Sequence, residues 1–331
     1  MSEKKETNLS VSTEEKTEEV IEEPSIHESG DKQKDQEADT EFNWFQFIHG
    51  AKDDVVKARF RTEVKSILSK YTDLLENYCC LALFDSRGGI TSFDADRIYQ
   101  ALLNENKEQD KNVLLLILSP GGSVEPAYHI SKLCKRFSKE KFVVVVPRQA
   151  KSAATLVAIG ADEIHVGLLG ELGPIDPQIG GLPALGVVQA LQTIASLSEE
   201  YPKSSEMFAR YLKTALTVEQ IGYCERIGIS AVQYAERLLS TKPSIEEKAS
   251  EIANMLVYEY KDHGFVIDSD EAQEYLGEEL VKTDTKELEF AEDFYRLFEN
   301  VDLVLRIIKQ QRLVVVGDIK SGEMIFNNQH N

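Results

Sequence analysis

The sequence predicts an α/β fold, with a mostly parallel sheet covered by helices and a mainly helical C-terminal region after it. Two observations give the first half. Short apolar runs recur, CCLALFD from 79, VLLLILS from 113 and FVVVVP from 142, and each leads through a turn into a stretch with apolar residues at helical spacing. The runs are also continuous rather than alternating. Such strands are buried on both faces, as in parallel sheets sandwiched between helices. The third observation is that, from VVQALQTIASLSEE onward, helical periodicity dominates and strand-like runs become rare.

Each element follows from local chemistry. Residues 1–40 carry thirteen acidic and five basic side chains, a net of −8, with little to anchor them, so a disordered acidic arm is expected. Folding starts near Phe42, where FNWFQFIHGAK turns abruptly aromatic, and VVKARFRTEVKSILSKYTDLLENY has the period of a helix. Three strand–turn–helix units come next, ending in RGGITSFDADRIYQALLNEN, PGGSVEPAYHISKLCKRFSK and RQAKSAATLVAIGA, and DEIHVG reads as a fourth strand entered by a turn at Asp162 and Glu163. The Gly- and Pro-rich LLGELGPIDPQIGGLPALG can be neither a long helix nor a central strand, which predicts an ordered loop near the sheet edge. Helices are expected at about 187–200, 204–214, 217–225, 230–240 and 244–260, then one stopped by Gly277 and one in ELEFAEDFYRLFENVDLVLRIIKQ. A small hairpin around Lys320, Ser321 and Gly322 closes the chain. The division expected is an arm over 1–40, an α/β domain over 41–245 and a mainly helical extension over 246–331.

A chain of 331 residues that is 42% hydrophobic can bury a large core. Its formal charge of −20 argues against a nonspecific grip on nucleic acid or an anionic membrane. No apolar run reaches the roughly 18 residues of a spanning helix, and the first residues lack a basic-then-apolar signal, so a cytoplasmic chain without a membrane span is expected. Cys79, Cys80, Cys134 and Cys224 have neither disulfide-framework nor zinc spacing and read as buried free thiols. No histidines are paired at metal spacing, so no metal or cofactor is expected. With no GxxxxGK[ST] loop, energy-dependent unfolding would come from a separate ATPase or adaptor.

Two loops carry the chemistry, each just past a strand's carboxyl end, where ligand sites of such sheets are built. In SPGGS, Gly121 and Gly122 can take positive φ and aim backbone N–H groups at an oxygen; the plain alternative is a turn capped by Ser123. In QAKSAAT, Ser152 is either a helix cap or a nucleophile, with the small Ala153 and Ala154 leaving room for a substrate carbonyl. The pair is more telling than either loop alone. Together with GELGPIDPQ, these segments resemble the Clp-protease and signal-peptide-peptidase superfamily, most closely the serine dehydrogenase proteinases, over residues 76 to about 240–280. The resemblance implies a ClpP/crotonase-like spiral of β-β-α units, serine peptidase chemistry on a polypeptide substrate, and a homo-oligomer. It makes Ser152 the nucleophile and gives Gly122, with Gly121, and the Ala153 N–H the oxyanion donors.

The general base is left open by the residues. Clp-type peptidases place a histidine in the loop corresponding to GPIDPQ, where this chain has Asp176 and Pro177. The signal-peptide-peptidase branch supplies a lysine further on, which makes Lys203 the expected base and Lys213 the next, in a Ser-Lys dyad. Lys151, beside Ser152, is expected to shape the entrance or bind a carboxylate, and Ser123 and Asp176 to line the channel, Asp176 with the option of orienting a base. His129, His165 and His263 read as structural or surface residues. The leading expectation is a serine endopeptidase. The alternatives are a crotonase-like acyl-CoA enzyme and a catalytically inactive pseudo-peptidase scaffold.

Overall fold

The apolar runs form the centre of a seven-stranded sheet in the computed structural model, which describes residues 42–179, 182–321 and 323–328. The acidic arm expected over 1–40 lies outside the described residues; Asn43–Asn331 forms one compact unit. It opens with α1 (Trp44–Gly50), capped by Asn43 Oδ1 accepting from the Gln46 N–H, then α2 (Asp53–Lys70) and the single turn α3 (Thr72–Leu75). Three strand–helix units follow: β1 (Tyr78–Phe84) with α4 (Ser92–Glu105), β2 (Asn112–Leu118) with α5 (Val124–Phe137), and β3 (Phe142–Val146) with β4 (Gln149–Ala150) and α6 (Ala153–Ile159). Next are β5 (Glu163–Val166), β6 (Glu171–Leu172) and the small pair β7 (Gln178–Ile179) and β8 (Leu182–Pro183). The remainder is α7 (Ala184–Glu200), α8 (Ser205–Ala215), α9 (Val218–Leu239), α10 (Ala249–Asn254), α11 (Ser269–Leu276), β9 (Val281–Lys282), α12 (Lys286–Lys309), β10 (Gln311–Asp318) and β11 (Glu323–Asn328).

The sheet order is β11-β10-β1-β2-β3-β5-β9, parallel from β1 to β9 and antiparallel where β10 meets β1 and β11. Alternate residues of each strand enter two different cores, which is why the runs are apolar throughout. Leu81, Leu83, Leu115, Ile117, Val144 and Val146 pack with buried residues of α4, α5, α6 and α9; Cys80, Ala82, Phe84, Leu114, Leu116 and Val145 pack with those of α1, α2 and α12. Phe84 anchors the second core, meeting Phe294 and Phe298 edge to face at 5.0 and 5.2 Å.

Between strand and helix, each unit makes a further short extended piece. Ile90 bridges Gly122 and Ser119 bridges Ala150, both in parallel; β4 pairs with β6, and Leu172 of β6 bridges Ile267. These pieces form a narrow second layer, so the repeating unit is β-β-α and the units wind as a spiral, the expected fold.

Two sequence expectations change. Helices expected at 217–225 and 230–240 are the single α9, because Gly228 stays helical where Tyr258 packs against it: a Cβ there would lie 2.9 Å from the Tyr258 hydroxyl. The residues after 246 are also not only a helical extension with a hairpin. They supply α12, which covers one face, and β9 and β10, which pair directly with β5 and β1. Among the described residues, no helix is long and apolar enough to cross a membrane.

Candidate active site

Ser152 lies between β4 and α6, on a strand–turn–helix path, with φ 52° and ψ −120°. A capping serine is extended and its Oγ accepts from an N–H two or three residues on. Ser152 does neither: its conformation is left-handed and its side chain makes no cap bond. Holding a β-carbon there costs roughly 1–3 kcal/mol, strain that persists only where the surroundings impose it. The imposition is local. The Lys151 N–H donates to Ser119 O at 3.0 Å, Lys151 O accepts from the Ala154 N–H at 2.9 Å, and every residue of α6 is buried.

The glycine loop faces this turn. Gly121 and Gly122 have φ of 119° and 139°, and a Cβ on Gly121 would lie 2.6 Å from Ser152 Cβ and 3.1 Å from its Oγ. Only glycine allows that approach. The Gly121 N–H is taken by Ser119 Oγ at 3.2 Å. Ile90 binds the flanking groups of Gly122, donating to Gly121 O and accepting from the Ser123 N–H. Among the described residues, neither the Gly122 N–H nor the Ala153 N–H has an acceptor. Gly122 lines the space around Ser152 and Ala153 follows Ser152 directly at the start of α6, while Gly121 supplies close approach rather than a donor.

Ser152 opens into a pocket of about 420 Å³, walled by Gly122 and Ser123 on one side, Ile175 and Pro177 on another, and Tyr223, Ile227 and Tyr234 of α9 on a third. His263 also lines it. Its Nδ1 is 3.4 Å from Oδ2 of Asp176, which is 5% exposed. His263 Nδ1 and Asp176 Oδ1 are both buried without a hydrogen-bond partner among the described residues, while Asp176 Oδ2 also accepts from Gln178 Nε2 at 3.1 Å. Buried polar atoms are rarely left so, and a histidine beside a carboxylate is the arrangement that orients an imidazole. Sequence reasoning read His263 as a turn residue; its one cue was a polar Asp-His-Gly turn between apolar segments.

The other candidates fall elsewhere. Lys203 is exposed on a 3₁₀ turn after α7, Lys213 is exposed in the last turn of α8, and neither lines the pocket. Lys151 does not reach into it either: its Nζ pairs with Glu171 at 2.8 Å and donates to Gly264 O at 2.9 Å. His129 is exposed on α5, and His165 is buried against Thr285, 2.8 Å away. Asp162 accepts from Lys135 and the Phe142 N–H, the turn into a strand that the sequence suggested. Thr155 carries no cue in the sequence. Fully buried, its Oγ1 lies 2.7 Å from both Ala150 O and Gly173 O and accepts from the Gly173 N–H, tying the Ser152 turn to the loop of Asp176. The four cysteines are free and buried, and no group of three or more His, Cys, Asp or Glu among the described residues is gathered to hold a metal.

Comparison with known proteins bears on the same segment. An uncharacterized protein of Methanocaldococcus jannaschii, MJ0137, is 32% identical over 185 residues, 56% of this chain and 58% of that one. A second from the same organism, MJ1495, is 35% identical over 101 residues, 30% of this chain and 34% of that one. The chain thus spans little more than half and about a third of these relatives' lengths. Among solved structures, the 1510-N membrane-bound stomatin-specific protease in complex with a substrate peptide is 15% identical, covering 77% of this chain and 87% of that one with a TM-score of 0.40. ClpP1 from Listeria monocytogenes is 16% identical, covering 66% and 99%, with a TM-score of 0.39. The sequence model of the ClpP-like SDH-type serine proteinases matches residues 88–310, a span that includes the glycine loop, Ser152, Asp176 and His263, and the chain belongs to that family.

Proposed function

We propose that this protein is a serine endopeptidase that cleaves polypeptides through an acyl-enzyme on Ser152, with His263 as general base and Asp176 as its orienting carboxylate. One observation carries the reading: the strained Ser152 shares its pocket with a histidine 3.4 Å from a buried carboxylate. With Nδ1–H turned toward Asp176, His263 Nε2 is free to take the Ser152 proton. Oγ then bonds to the substrate carbonyl carbon, and the oxyanion accepts from the Gly122 and Ala153 N–H groups. As the C–N bond breaks, the imidazolium gives the proton to the amine; water, deprotonated by the same imidazole, then adds to the acyl carbon, the bond to Ser152 Oγ breaks, and the imidazolium returns the proton to Oγ as the acid leaves. Lys203 and Lys213, exposed and outside the pocket, are weaker candidates for the base.

The wider reading follows from the same features. A pocket of about 420 Å³ holds a few side chains of an extended segment, so a folded substrate would need a separate ATPase or adaptor to unwind it. Met207, Tyr211, Val218 and Tyr223 are exposed by half or more on α8 and α9, and we assign this face to self-association. Free buried thiols fit a reducing cytoplasm.

Intact mass after treatment with a fluorophosphonate tests the core claim. Wild type and Lys203→Ala should gain one adduct, mapped to Ser152, while Ser152→Ala and His263→Ala should gain none on the same time scale. An adduct on His263→Ala at the wild-type rate, with none on Lys203→Ala, would return the base to the lysine. Absence of adduct on wild type together with acyl-CoA binding would favour the crotonase-like reading.

A further inference from the structure

We infer that Lys151 is a positioning residue for His263: its ammonium holds together the three segments that bear Ser152, Asp176 and His263. The inference rests on the triad proposed above. The backbone of Lys151 is part of the nucleophile turn, fixed by Ser119 on one side and Ala154 on the other. Its side chain leaves that turn and binds both other segments at once. Nζ meets Glu171 Oε1 at 2.8 Å, at the head of the loop that leads to Asp176, and donates to Gly264 O at 2.9 Å, the carbonyl next to His263. The aliphatic stem runs over Gly173, where an added Cβ would lie 3.0 Å from Lys151 Cγ.

The His263 turn has few other polar ties near the imidazole. Asp262 bonds within the turn, to the Gly264 and Phe265 N–H groups; beyond it Phe265 packs on Tyr260 at 4.8 Å and Ile267 bridges Leu172, contacts that anchor the far side of the turn rather than the carbonyl beside His263. His263 Nδ1 lies 3.4 Å from Asp176 without an aligned hydrogen bond. That carboxylate orients the ring but does not fix the turn. The Lys151 side chain is only 14% exposed, so its pairing is less screened by solvent than a surface ion pair. Moving a catalytic base by about 1 Å costs on the order of 10²-fold in rate. Losing the clamp should therefore slow proton removal from Ser152 while leaving the pocket walls formed by Gly122, Ile175, Pro177 and α9 in place.

The experiment is fluorophosphonate inactivation of the full-length protein, separated into a limiting rate constant and a half-saturation concentration, for wild type, Lys151→Met, Glu171→Gln and Ser152→Ala. Lys151→Met keeps the stem and removes the charge. Its limiting rate should fall about 100-fold with half-saturation within about threefold of wild type, and Glu171→Gln should fall about tenfold. Thermal unfolding of the same samples measures any purely structural role. A wild-type limiting rate for Lys151→Met, or a loss no larger than its loss of folded protein, overturns the inference while leaving the Ser152 reading intact. Labelling of Ser152→Ala as fast as wild type overturns both.

Discussion

If the backbone at Ser152 is strained for the sake of the nucleophile, removing the side chain in two ways should separate strain from chemistry. The pair φ 52°, ψ −120° is the mirror image of an ordinary extended conformation, open to glycine and costly for residues with a β-carbon. Ser152→Ala keeps the β-carbon and therefore the strain; Ser152→Gly releases it. The release is worth roughly 1–3 kcal/mol, against which glycine loses roughly 0.5–1 kcal/mol through the greater freedom of its unfolded chain. The glycine variant should therefore match or exceed the alanine variant, by up to about 2.5 kcal/mol. At about 2–4 °C per kcal/mol for a domain of this size, that is a few degrees in Tm. Urea unfolding of both variants with unchanged m-values reads the difference, and a fluorescent peptide assay should find both inactive. If alanine proves more stable than glycine by that roughly 0.5–1 kcal/mol, the turn is not strained and the case for a built nucleophile loses its structural basis.

Three further outcomes follow from the same geometry. Gly121→Ala would set a β-carbon 2.6 Å from Ser152 Cβ and 2.9 Å from Lys151 O, both short and stiff, so kcat should fall at least ~100-fold in a peptide assay, with KM measured alongside. Thr155→Val leaves the buried Gly173 N–H without its hydroxyl partner and should cost about 1–3 kcal/mol in urea unfolding. Lys242 is 6% exposed, and burial pushes its amine from 10.5 down to about 8. Because the unfolded chain then holds the extra proton between those values, stability should rise with pH from about 8 to 10.5. Lys242→Met should flatten that rise and gain up to about 3 kcal/mol at pH 7, both read from unfolding across a pH series.

The sequence made the sheet and half of the site legible because the constraints there are local. FVVVV must be buried on both faces wherever it is placed, and a Gly-Gly pair after a strand offers backbone that no other residue allows. The glycine loop and the helix start after Ser152 fall where their residue types put them, at positive φ and at the first turn of α6. What stayed hidden depends on docking between distant segments. His263 meets Asp176 where distant segments are joined, Ile267 to Leu172, Ile175 to Leu256 and Lys151 to Gly264, and no spacing or period records such contacts. Lys203 was suggested by its separation from Ser152, but separation along a chain says little once α7 carries the following turn away to an exposed position. Gly228 shows the same limit in a helix: its packing against Tyr258 overrides the break its residue type suggests.

The chain order of Ser152, Asp176 and His263 has a consequence in time. A ribosome adds roughly 5–20 residues per second, so the serine and the carboxylate emerge several seconds before the histidine is made. The strands that finish the sheet at β9 and β10 come later still. On the proposed mechanism, the growing polypeptide during that interval holds Ser152 without His263 and so has no base to activate it. Hydrolytic competence on that mechanism would begin only when the last third of the chain has docked, so that completed folding would be its first safeguard.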